Sequence, residues 1–216
     1  MSTGGKEKLL AQMAIDFFSP VYQNIDYFEA CVDCESSGLF QVKCKCAVYD
    51  KYGNRVGETS RTFSELSDAG LDTYNGKRSL WLWRPLLDQS LDGWIRIASH
   101  EACHFTVLDK IFEGDVDRHK AAYEALSASL IFTGGTHPEE KLCMDIESEF
   151  LECVREQLGE EYEEMKRDWS RLSYWEWWRK HYGDLKKAVQ ACRPLITEKD
   201  LSSLKETYGK LLRKHP

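Results

Sequence analysis

The sequence predicts an α+β fold, a small antiparallel sheet in the N-terminal part followed by a mainly helical C-terminal part that carries an active-site helix. Two observations predict it: apolar residues alternate in period two between Phe28 and Phe63, and they recur with helical spacing from Leu91 onward. The change of period near residue 90 divides the 216 residues into two lobes of one domain, a β-rich lobe over 1–90 that includes an N-terminal helix and a helical lobe over 91–216.

Leu9, Leu10, Met13, Ala14 and Phe17 share one face of a helix from about Lys6 to Phe18, which Ser19-Pro20 ends. Strands follow at Phe28 to Cys34 and Leu39 to Tyr49, the second with Val42, Cys44, Cys46 and Val48 on one side. Asp50 to Asn54 reads as a hairpin turn into a strand from Arg55 to about Phe63. The polar stretch Ser64 to Lys77 reads as a loop, and Arg78 to Trp83 as either a strand or the lead into a helix. Helices are expected over Leu91 to Phe112, Arg118 to Phe132, Pro138 to Leu158, Glu160 to Cys192 and Thr197 to Leu212. In the last of these, Thr197 and Asp200 form a capping-box-like start, and Leu201, Leu204, Tyr208 and Leu211 make a single packing stripe.

A formal charge of -7 argues against a protein that grips phosphate backbones, so nucleic acid is not the expected partner. No apolar run is long enough for a membrane span, and the opening residues lack the apolar core of a signal peptide. The expected location is therefore the cytoplasm. There the 8 Cys should be reduced thiols or metal ligands.

The chemistry is concentrated in Ser99-His100-Glu101-Ala102-Cys103-His104-Phe105. His-Glu-x-x-His sets two imidazoles one helical turn apart, where both can reach one Zn²⁺, and places Glu101 to deprotonate its water. With about 100° of rotation per residue, Leu91, Trp94, Ile95, Ala98, Ala102, Phe105 and Leu108 fill one half of this helix. His100 and His104 lie at the edge of that half and Glu101 near its middle. Cys103 lies on the polar side. A carboxylate in an apolar face needs compensation, which a divalent cation supplies directly; a core Arg or Lys is the ordinary alternative.

The motif and its uncharged flanks resemble the zincin metallopeptidases over roughly ten residues. The resemblance implies zinc, hydrolysis of a peptide or protein substrate, and a sheet whose edge strand receives extended peptide. Lys110 stands where the metzincin subgroup has a third His. The likeness is therefore to the gluzincins, which take a third ligand from a Glu on a following helix. Gluzincins of the thermolysin type follow that Glu four residues later with an Asp, where this chain has Leu151 if the ligand is Glu147. A narrower likeness is to compact intracellular metallopeptidases that cleave phage and stress-response repressors. Glu147-Ser148-Glu149 keeps their small residue after the ligand Glu but lacks their Asn.

Among the acids in the body of the helix over 138–158, only Glu147 shares the half of the cylinder occupied by Leu142, Cys143, Ile146, Phe150 and Val154. Glu147 is accordingly the nominated third ligand, with His119, His137 and Glu139 as rivals. Its ordinary alternative is a buried Glu neutralised by Arg or Tyr. Cys31, Cys34, Cys44 and Cys46 could hold a structural zinc, although the C-x-C pair on an alternating strand also suits small core residues. Trp175, Trp178 and Tyr182 form a packing stripe, and Tyr174, His181 and Tyr182 are candidates to stabilise an oxyanion. The rival to a zinc-dependent peptidase is a non-enzymatic acidic interaction or regulatory protein, which would need no metal.

Overall fold

The computed structural model describes residues 2–65, 67–131, 134–192 and 196–214. Helix α1 (Thr3–Phe18) precedes strands β1 (Tyr27–Gly38), β2 (Gln41–Asp50), β3 (Arg55–Ser64), β4 (Ala69–Tyr74) and β5 (Lys77–Trp83). Helices α2 (Leu91–Phe112), α3 (Val116–Ile131), α4 (Pro138–Leu158), α5 (Glu160–Trp169), α6 (Tyr174–Cys192) and α7 (Glu198–Lys214) follow. The α+β class and the change of character near residue 90 are as the sequence predicts. The expected end of α3 at Phe132 lies outside the described residues.

The five strands run in the order β3-β2-β1-β5-β4, antiparallel except where β1 pairs with β5. One face carries Phe28, Ala30, Val32, Ala47, Leu80 and Leu82 into the main core, which α1 and α2 complete with Phe17, Phe18, Trp94 and Phe105. The opposite face holds a smaller cluster of Cys31, Val42, Cys44 and Cys46 against Phe63, Trp81 and Trp83. Arg61 binds the fully buried Glu29 through two nitrogens, at 2.6 and 2.7 Å, and so satisfies a carboxylate that the strand pattern drives inside.

Two segments depart from expectation. The stretch read as a loop contains β4, an edge strand, joined to β5 by Asn75-Gly76, both with positive φ, as a two-residue hairpin turn requires. Gly70 in β4 leaves room for the Trp81 indole, since a Cβ there would lie 2.6 Å from its Cζ2. The single helix expected over Glu160 to Cys192 is two, because Ser173 restarts the chain. Its backbone N–H and hydroxyl both donate to Glu176, at 3.0 and 2.6 Å.

The cysteines depart further. Cys31–Cys46, Cys34–Cys44 and Cys153–Cys192 are disulfides, so the expectation of reduced thiols or of a zinc site at the first four is corrected. A bulge in β1 between Cys31 and Asp33 explains the first two pairs. One extra residue, Val32, lets a C-x2-C spacing on β1 face a C-x-C spacing on β2, with Cys31 opposite Cys46 and Cys34 opposite Cys44. The third bond fastens α4 to α6. Replacing Cys192 with Ser opens a link between residues 39 apart and is expected to lower unfolding stability by about 2–4 kcal/mol. Urea titration of the variant beside the wild type reads the difference.

Candidate metal centre

Helix α2 runs through the middle of the molecule. Ser90 caps it by accepting from the Gly93 N–H at 3.1 Å, and Asp92 in its first turn accepts from Arg155 and Tyr162, each at 2.7 Å. Helix α4 packs antiparallel against it, so residues late in α2 meet residues early in α4. The amphipathic reading of α2 underestimates its burial. Ser99 and Cys103, expected on a polar face, are buried, and Cys103 lies against Cys143 and Ile146 of α4.

His100 and His104 turn their Nε2 atoms toward each other at 3.2 Å. Glu140 completes the group, with Oε2 3.3 Å from His100 Nε2 and Oε1 3.3 Å from His104 Nε2. Glu147, the nominated third ligand, stands behind His100 instead: its Oε2 is 3.1 Å from Nδ1, and Arg96 lies 3.5 Å from its other oxygen. The structure thus brings Glu140 to the shared face of the two imidazoles and leaves Glu147 on the outer nitrogen of one.

The rival residues also find places. Glu139 is fully buried and accepts from His104 Nδ1 at 2.6 Å, from His119 Nε2 at 2.9 Å and from the Tyr208 hydroxyl of α7. His137 caps α4 by accepting from the Glu139 N–H at 3.3 Å. A carboxylate can only accept, so with a metal at the inner nitrogens each ring would keep its hydrogen on Nδ1, toward Glu147 or Glu139, and turn its Nε2 lone pair inward. His119 donates through Nε2, and its buried Nδ1 makes no hydrogen bond.

This arrangement fits a zinc ion. Bonds of about 2.0–2.1 Å in a tetrahedron put ligand atoms roughly 3.3 Å apart, close to the spacing of the two nitrogens and the Glu140 oxygens. The donors are borderline nitrogens and one carboxylate, with an outer carboxylate behind each imidazole fixing its tautomer. Electrostatics point the same way. Burial opposes charge on His100, but hydrogen bonds to Glu140 and Glu147 outweigh it and lift the ring to about 9. Burial likewise opposes charge on His104, yet Glu139 and Glu140 raise it well above the usual imidazole range. The pocket draws in positive charge.

Glu101 is 8% exposed, and its carboxylate makes no hydrogen bond among the described residues. Burial raises its pKa against the pull of His104 and His100. It opens onto a cavity of about 450 Å³, as do His100, His104, Glu140 and Tyr123. Tyr123 donates to Glu140 and stacks on His137, with ring centroids 4.1 Å apart. The oxyanion candidates lie elsewhere: Tyr174 and Tyr182 bind Asp16, His181 binds Asp168, and none of the three lines the cavity.

Sequence reasoning passed over Glu140 and Tyr123 and gave Tyr208 a packing role alone. A signal for Glu139 was present, since it stands four residues before Cys143 on the stripe that continues through Ile146, Phe150 and Val154. Removing Glu139 would strand donors from His104, His119 and Tyr208. Glu139→Ala is therefore expected to destabilise the metal-free protein by roughly 3–5 kcal/mol, measured by denaturant unfolding.

Comparison of the chain with models of protein families, with curated proteins and with solved structures finds no match.

Proposed function

We propose that the protein is a zinc-dependent metallopeptidase, in which His100, His104 and Glu140 hold the metal and Glu101 is the general base. The observation that carries this reading is the triangle of Nε2, Nε2 and carboxylate atoms, with sides of 3.2 and 3.3 Å, set beside an unpaired buried Glu on a cavity wall. A zinc ion held there would polarise a scissile carbonyl and acidify a water. Glu101 would take the proton from that water and pass it to the departing amine, a task favoured because burial raises this carboxyl and makes it a stronger base. Glu139 and Glu147 would hold the two rings in the tautomer that leaves Nε2 free.

The test is elemental analysis of purified protein together with a peptide-hydrolysis assay before and after chelation. One zinc per chain and cleavage that chelator abolishes and zinc restores support the proposal. A chain free of transition metal, with no uptake of added zinc, would end it in favour of a non-enzymatic interaction protein.

The partner is then a peptide or protein substrate. Among the described residues no helix is long and apolar enough to cross a membrane. The cytoplasm expected from the sequence sits poorly with three disulfides, which favour an oxidising compartment.

A further inference from the structure

The cavity wall is lopsided in charge. Asp68, Glu101, Glu124, Glu140 and Glu147 line it against a single ammonium, that of Lys120, which is committed to Asp72 at 2.7 Å. Even with a bound dication the wall stays negative. The acids are not equivalent. Glu140 and Glu147 are taken up by the imidazoles, and Glu124 is exposed to water. Asp68 is half-buried, directly before β4, and its carboxylate makes no hydrogen bond or ion pair among the described residues, although its backbone carbonyl accepts from the Trp83 N–H at 3.0 Å. Burial raises its pKa with nothing opposing it. Glu101, nine-tenths buried, is the second unpartnered carboxylate aimed into the same space.

A half-buried anion without a partner carries a desolvation cost that a cationic ligand group would recover. Near it the wall is apolar at Ala69, Leu71 and Ile97, which suits the methylene stem of a long basic side chain whose charged end reaches Asp68. We infer that Asp68 is a specificity-determining residue that selects peptides carrying Lys or Arg beside the scissile bond. The inference rests on the peptidase reading of the site.

The test uses the zinc-loaded full chain and decapeptides of neutral sequence in which a single Lys is moved along the middle positions, each paired with a norleucine counterpart that keeps the stem and drops the charge. Cleavage is followed by mass spectrometry and equilibrium binding by fluorescence anisotropy. At one position the Lys peptide is expected to exceed its norleucine partner about tenfold in both kcat/KM and affinity, the equivalent of about 1.4 kcal/mol. Asp68→Asn should bring that ratio close to one, and Asp68→Lys should move the preference to a Glu peptide. Cleavage with no Lys preference at any position, or a ratio unchanged in Asp68→Asn, overturns the inference and leaves the peptidase reading intact. A Lys preference in binding that depends on Asp68, with no cleavage of any peptide, overturns the peptidase reading and leaves the recognition of a cationic side chain standing.

Discussion

Glu101→Gln is expected to keep its zinc and lose hydrolysis by a factor of roughly 10²–10⁴. The amide has the size of the carboxylate but cannot accept a proton, and Glu101 is not among the atoms that converge on the proposed metal position. Metal analysis and kcat on any cleaved peptide give the two readouts. Retained turnover would remove Glu101 from the mechanism, whereas loss of zinc together with activity would make it a structural neighbour of the site. Burial raises this carboxyl in the metal-free protein, and kcat/KM is expected to fall on the acid side as Glu101 takes up a proton. Once protonated, Glu101 cannot act as a base, so the rate falls as pH falls.

The second large effect separates Glu140 from Glu147. Glu140→Ala removes one of three inward donors and is expected to give protein that purifies without zinc, because two imidazoles alone leave the ion half-coordinated. Glu147→Ala leaves all three donors in place and frees only the outer nitrogen of His100, so zinc should still bind, about 10–100-fold more weakly. Competition titration with a fluorescent zinc chelator measures both constants. The opposite ranking would return the ligand role to Glu147.

That pair also shows how far the sequence reaches. Residues 140 and 147 are seven apart on α4, within about 20° of the same face, so rotation alone cannot choose between them. They differ by about 10 Å along the helix axis, and the choice depends on how far α4 slides past α2. Sliding is fixed by distant packing, such as Asp92 against Arg155 and Tyr162, and leaves no local trace. Glu140 also sits in the first turn of its helix, where an acid is expected for the sake of the macrodipole. By contrast, the span of α2 was legible because its signal is local: the apolar periodicity and the His-Glu-x-x-His motif itself.

Other misses had readable signals. Asn75-Gly76 between Leu71-Asp72-Thr73 and Ser79-Leu80 is a hairpin signature, outweighed in the reading by the polarity of the surrounding stretch. Ser173 and Glu176 form a capping box inside what otherwise scans as one long helix. The cysteine reading failed for a different reason. It took the compartment as its premise, whereas the thiol spacing on two facing strands carried the pairing directly.

Four thiols on one hairpin can be joined in three ways. Joining each thiol to its near neighbour along the chain would close two small rings within single strands and tie neither strand to the other. The nested arrangement needs the two strands laid side by side with Val32 pushed out of line. Pairing of the strands and the two covalent bonds therefore stabilise one another on this hairpin, since each bond closes only in this register and each holds the register in place.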